Sequence, residues 1–237
     1  MDTHQWPIQE FDRYISNLFA AEDAALQLAR EEMLREGMPQ ISVSASEGKL
    51  LHVLARIIRA ERILELGTLG GYSAIWLARA LPAQGKLISL EIDERYAAVA
   101  RRNLKRAGLE EKVQVRVGPA LELLSRLEAE GEASFDLIFI DADKELYVDY
   151  LRKAVPLLRE GGIVLGDNTL PPAVLDAAAD SGTKRYNAEL SARLDLISIL
   201  VPVLRRTGVD GLTISIKQAQ RANEGIMSQY PTRATES

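Results

Sequence analysis

The 237-residue sequence contains no cysteine. That excludes a disulfide framework, a thiol nucleophile and a thiolate metal site. Histidine is almost as scarce, at His4 and His52 only, so an imidazole-rich zinc centre is not available. No run approaches the ~20 apolar residues that span a bilayer. The opening Met1-Asp-Thr-His-Gln-Trp6 lacks a basic segment followed by an apolar one, so no signal peptide is expected. Net charge is −5 and no basic stripe stands out, which argues against a nucleic-acid partner. No repeat or low-complexity block divides the chain. The expectation is one cytoplasmic domain with a full core, comprising N-terminal helices over 1–60, an α/β core over 61–217 and a mobile tail over 218–237.

What is present is organised around Arg62-Ile-Leu-Glu-Leu-Gly-Thr-Leu-Gly-Gly-Tyr-Ser-Ala-Ile-Trp-Leu-Ala78. Ile63 to Leu66 reads as a buried strand, Gly67, Gly70 and Gly71 as a tight turn, and Ser73 to Ala80 as a helix. Strand, glycine turn, helix is a ligand-binding corner of a doubly wound sheet. The helix N-terminus offers free N–H groups and a positive partial charge to a carboxylate or phosphate. The full Gly-x-Gly-x-x-Gly spacing of a dinucleotide enzyme is missing, which disfavours a nicotinamide dehydrogenase.

Residues 8–37 are rich in helix formers and end at Gly37-Met-Pro39. Ile41 to Ser46 reads as extended, with Ser46 capping a helix that buries Leu50, Leu51, Leu54 and Ile57. Beyond Arg62, strands are predicted over 62–66, 86–91, 112–117, 135–141 and 161–167. Helices are predicted over 72–81, 94–107, 119–128, 144–158 and 186–194. This alternation implies a parallel sheet covered on both faces. The rhythm breaks at the end, where Asp195–Leu204 and Gly211–Lys217 read as an antiparallel hairpin joined through 205–210.

Glu91 ends the second predicted strand, where a carboxylate can accept from ribose hydroxyls. Gly118-Pro-Ala120 reaches the same rim and offers backbone to a purine. Glu65 also reads as a locally paired carboxylate, Ser73 as a helix cap and Glu91 as a solvated charge. With the terminal hairpin, these features resemble the S-adenosylmethionine (SAM)-dependent methyltransferases. That resemblance implies a Rossmann-like, seven-stranded, mostly parallel sheet with an antiparallel last strand and helices on both faces.

Two later strands end in oxygen ligands. Phe135-Asp-Leu-Ile-Phe-Ile-Asp141 is followed by Ala142-Asp143-Lys144, and Gly162-Ile-Val-Leu-Gly-Asp167 by Asn168. Adjacent strands lie ~5 Å apart, so Asp141 and Asp167-Asn168 can face one cation. Two carboxylates and an amide oxygen are hard ligands, favouring Mg²⁺, Ca²⁺ or Mn²⁺. Taken singly, Asp141 also reads as a helix N-cap and Asp167 as a loop carboxylate.

Ile140-Asp-Ala-Asp-Lys144 together with Gly166-Asp-Asn-Thr-Leu170 resembles the cation-dependent O-methyltransferases that include catechol and caffeoyl-CoA O-methyltransferases. The likeness runs from Ile41 to Lys217, including Val43-Ser-Ala-Ser-Glu-Gly48 and Val209-Asp-Gly-Leu-Thr213. It implies metal ligands at Asp141, Asp167 and Asn168, a general base at Lys144, and donor contacts from Val43, Glu65, Gly67, Thr68, Ser73, Glu91, Ala120 and Asp141. Lys144 can act as the base provided a nearby cation and partial burial favour its neutral form. The resemblance further implies a homodimer and a small hydroxylated acceptor, catechol-like or another natural-product hydroxyl. Pro171-Pro-Ala-Val174 departs from the family pattern and is expected to border the acceptor pocket. Arg185 and Tyr186 read as packing or surface residues before acceptor contacts. A non-enzymatic binding protein on this fold is disfavoured by the retained ligand set.

Overall fold

The computed structural model describes residues 7–132, 134–205 and 208–219. His4 and the tail expected beyond residue 219 lie outside them. Three helices come first: α1 (Ile8–Phe19), α2 (Ala24–Arg35) and α3 (Ala45–Ile57). Strand and helix then alternate through β1 (Arg62–Leu66), α4 (Tyr72–Ala80), β2 (Lys86–Glu91), α5 (Glu94–Arg106), β3 (Val113–Val117), α6 (Ala120–Ala129), β4 (Phe135–Ile140), α7 (Tyr147–Leu157) and β5 (Leu158–Gly166). Helix α8 (Gly182–Ala192) leads into the hairpin of β6 (Leu196–Arg205) and β7 (Gly208–Lys217).

The seven strands run in the order β3-β2-β1-β4-β5-β7-β6. Strands β1 to β5 are parallel, and β7 is antiparallel to both of its neighbours. The chain moves outward from β1 and returns to β4, so the order reverses between them. Ligands of such sheets sit in the crevice beyond the carboxyl ends at that reversal.

Each strand tip is aimed by a sheet buried on both faces. On β4, Leu137 and Phe139 pack into the core shared with α2 to α5, whereas Ile138 and Ile140 pack into the core shared with α6 to α8. This period-two division of a continuously apolar run is what a doubly covered parallel strand requires.

Several boundaries differ from expectation. Ser44, rather than Ser46, caps α3 by accepting from Glu47 N at 3.2 Å, while the Ser46 hydroxyl donates to Asp12 Oδ1 at 2.6 Å. Ile57 is 69% exposed and not on the buried face. Helix α8 begins four residues early because the Ser181 hydroxyl caps it. The largest difference is the hairpin. Arg205 pairs with Gly208, and Val203 with Asp210, so residues expected in a loop belong to the ladder.

Candidate active site

The turn after β1 is shaped by close approach. Gly67 has φ +95°, and a Cβ there would lie 2.0 Å from the Asp141 carbonyl oxygen. Only glycine lets the ends of β1 and β4 meet in this way. Leu69, itself at φ +48°, donates its N–H to Glu91 Oε2 at 2.7 Å, and Asp93 N donates to Oε1 at 3.0 Å. Glu91 is therefore a fixed, mostly buried acceptor rather than a solvated charge.

Glu65 lies beneath this turn and is fully buried. Its oxygens accept from the Ser73 hydroxyl at 2.6 Å and the Ser89 hydroxyl at 2.5 Å. Thr68 and Ser89 hydroxyls are 2.5 Å apart. Burial, reinforced by Asp141 and Glu91, pushes the Glu65 carboxyl up to about 7 although both serines favour its ionised form. Ser73 is thus a tie to Glu65; the N-cap position of α4 is Gly71.

A cleft of about 1280 Å³ opens over these strand ends. Val43, Gly67, Thr68, Ser73, Glu91, Ala120 and Asp141 line it, and Glu65 does not. Arg30 supports one wall: its guanidinium stacks 3.9 Å from the Tyr72 ring centroid and bonds Glu22 and the Val43 carbonyl. The polar face of α1, with Asp12, Arg13 and Ser16, forms another wall. Pro171 to Val174, expected at the acceptor pocket, is absent from the lining. Arg185 pairs with Asp180 and Glu145 at the surface, and Tyr186 is buried 5.2 Å from the Tyr147 ring. Both serve packing or surface roles.

Strands β4 and β5 bring the second half of the site together. Ile140 pairs with Gly166, so Asp141 and Asp167 are the first residues beyond paired tips. The N-cap of the short 3-10 turn Lys144–Leu146 is Asp143, which frees Asp141 from a capping role. Lys144 Nζ donates to Asp141 Oδ1 and to the Tyr147 hydroxyl, each at 2.7 Å. The single Tyr147 hydroxyl proton is shared between the carbonyls of Ile140, at 3.1 Å, and Asp167, at 3.0 Å. One buried phenol thereby clamps both strand ends, and burial raises its pKa well above the ordinary value.

Asp167 is fully buried and so is no loop carboxylate. Asn168, at φ +54°, donates its side-chain N–H to Asp210 Oδ2 at 2.9 Å, which leaves its amide oxygen uncommitted to that bond. Arg205 reaches in from the hairpin and contacts both Asp167 oxygens and Glu47. Burial, then repulsion from Asp167, raises the carboxyls of both Glu47 and Asp141, the former well above the usual range.

These residues fit a hard divalent cation in chemistry and in charge. Glu47, Asp141, Asp167 and Asp210 face Lys144 and Arg205, so four carboxyl groups meet two basic side chains. An added cation would favour the ionised form of the carboxyls that crowding raises, with Asp141, Asp167 and Asn168 as hard oxygen donors. Among the described residues, no three carboxylate or histidine groups form a ready-made cage, and Arg205 lies against Asp167. His52 is remote from this set, with Nδ1 3.1 Å from the Trp76 carbonyl.

Sequence reasoning missed Arg205, Glu47, Tyr147 and the α1 wall. The one local signal was for Tyr147, three residues after Lys144 and so on the same side of a helical turn.

The family profile described as O-methyltransferase matches residues 16–217. A catechol O-methyltransferase of Niastella koreensis is 44% identical over 213 residues, spanning 88% of this chain and 96% of that protein. A catechol O-methyltransferase of Mycobacterium tuberculosis is 37% identical over 211 residues, spanning 87% and 94%. Among solved structures, the O-methyltransferase of Streptomyces achromogenes involved in tomaymycin synthesis, in complex with SAM, superposes with a TM-score of 0.85. It is 38% identical, and the match covers 92% of this chain and all of that one. With the sheet order and the cleft at its reversal, these similarities make the chain a member of the SAM-dependent O-methyltransferase family.

Proposed function

We propose that this enzyme transfers the methyl group of SAM to one hydroxyl of a catechol-like acceptor with the help of a divalent cation, Mg²⁺ first and Ca²⁺ or Mn²⁺ as substitutes. The observation that carries this reading is that Asp141 and Asp167 follow paired strand tips, and that Asp141, Asn168 and Lys144 share a cleft with the glycine turn while Asp167 is buried against Arg205.

The donor's ribose suits Glu91, and its carboxylate suits the free N–H groups of α4 with Ser73. Gly67, Thr68 and Val43 approach it through backbone, and Ala120 borders the adenine side. Glu65 contributes from beneath by holding Ser73. Asp141, Asp167 and Asn168 would hold the cation. When bound, that ion supplies a Lewis acid that orients two vicinal oxygens and lowers a phenol pKa from its ordinary ~10.

Lys144, among the described residues the only lysine on the cleft wall, would take the acceptor's proton in its neutral form, which a bound cation would favour over the ammonium now paired with Asp141. The acceptor oxygen attacks the sulfonium methyl in line. The O–CH₃ bond forms as the S–CH₃ bond breaks, releasing S-adenosylhomocysteine. Tyr147 keeps Lys144 and both strand ends in register, so positioning contributes much of the rate.

The polar α1 wall favours a second reading, a larger hydroxylated natural product. An acceptor panel with labelled SAM separates the two. Catechol methylation that stops in EDTA and returns with Mg²⁺ supports the first reading, and catechol methylation unaffected by EDTA contradicts it.

The enzyme is also read as a homodimer. Phe11, Tyr14, Leu18 and Phe19 on α1, with Ile197 and Ile199 on edge strand β6, are all more than half exposed. Sedimentation as a monomer at micromolar concentration would contradict this. An acidic composition without cysteine suits the cytoplasm, and no helix among the described residues is long and apolar enough to cross a membrane.

A further inference from the structure

We propose that Arg205 is a resident cation of the ligand cluster and competes with the divalent ion for Asp167. The inference rests on the cation reading above and adds to it a residue that sets the affinity. Arg205 is only 14% exposed in its side chain, and its two main partners, Glu47 and Asp167, are fully buried. Its Nη2 contacts both Asp167 oxygens, one at 2.5 Å, and lies 2.9 Å from Glu47 Oε2 and 3.1 Å from Oε1.

A guanidinium carries five N–H donors in a rigid fork, which favours paired bonds to a carboxylate. Here one nitrogen serves two carboxylates. The buried Nε has no hydrogen-bond partner and stands 3.8 Å from Asp210 Oδ2. A cation held this way neutralises the cluster without using its full bonding capacity, so a doubly charged rival can take Asp167 from it. The guanidinium need not then enter water, because Glu47 and Asp210 remain beside it. The position follows from the hairpin register, since Arg205 is the last residue of β6 and pairs with Gly208.

Two effects share one sign. Arg205 occupies the Asp167 oxygens, and its charge repels a second cation nearby. Removing it strengthens metal binding and also leaves Glu47 and Asp167 without their counter-ion.

The test is calorimetric titration of Mn²⁺ into the wild-type protein, Arg205→Gln and Arg205→Lys, with melting curves in EDTA and in Mn²⁺. The expected order of affinity is Gln above Lys above wild type, with Arg205→Gln at least about tenfold tighter than wild type. Arg205→Gln should melt lower than wild type in EDTA and gain more from Mn²⁺. Equal or weaker binding by both variants overturns the competition and leaves the cation reading standing. No Mn²⁺ binding by any of the three proteins overturns both. Arg205→Lys keeps the charge, so it remains informative if the neutral variant does not fold.

Discussion

The two halves of the cleft solve their electrostatics in opposite ways. On the donor side, Glu65 and Glu91 are each satisfied by neutral donors: two serine hydroxyls for one and two backbone N–H groups for the other. On the side proposed for the ion, four carboxyl groups crowd two basic side chains, and Glu47 and Asp141 are pushed up by burial and then by Asp167. The half proposed for the donor is preformed, held by serine hydroxyls and backbone N–H groups. The ion half is held in place by charges that a ligand can redistribute.

The largest expected effect breaks only the ion half. Asp167→Ala should lower kcat/KM by roughly a thousandfold or more, while SAM affinity measured by calorimetry stays within about threefold. Equal losses in both would erase the distinction between the halves. Gly67→Ala attacks the donor half, because a Cβ would sit 2.0 Å from the Asp141 carbonyl oxygen at φ +95°. It should cost about 2–4 kcal/mol in denaturant unfolding and weaken SAM binding at least about tenfold.

Tyr147→Phe removes the hydroxyl shared by Lys144 and the two strand-end carbonyls. A loss of about 1–2 kcal/mol should accompany a roughly tenfold fall in kcat with KM for SAM unchanged.

The remaining effect is pH-dependent and belongs to the half proposed for the donor. The folded-state pKa of Glu65, about 7, lies above its ordinary 4.5. The folded protein therefore binds more protons between those values, and this contribution to stability, full below about 4.5, is lost as pH rises through about 7. Glu65→Gln should remove about 1–3 kcal/mol of that pH-dependent change in the stability of the ligand-free protein. A wild-type stability rising steadily from pH 5 to 8 with the slope unaltered in Glu65→Gln would contradict the assignment.

The half proposed for the donor is legible in the sequence as a geometry because its parts are local. Glu65, Gly67 and Ser73 lie within one strand, turn and helix, and Glu91 closes the next strand. Asp141 with Lys144 and Asp167 with Asn168 were legible for the same reason: each pair ends one apolar run, and parallel pairing brings the two tips together. Arg205 was not legible because its contact to Glu47 spans 158 residues and depends on a hairpin register that apolar patterning left open. The same holds for α1. Its polar residues line the cleft, but nothing in its periodicity says which element that face meets. Pro171 to Val174 does not line the cleft of the ligand-free protein, because proximity in sequence to Asn168 does not fix the direction of the chain after it.

The most direct test of the central claim is a crystal structure with Mn²⁺ and SAM, read by anomalous scattering at the manganese edge. One ordered peak is expected, bonded to oxygens of Asp141, Asp167 and Asn168, with Arg205 drawn back toward Glu47 and Asp210. A well-ordered donor in the cleft with no manganese between those strand tips would contradict it.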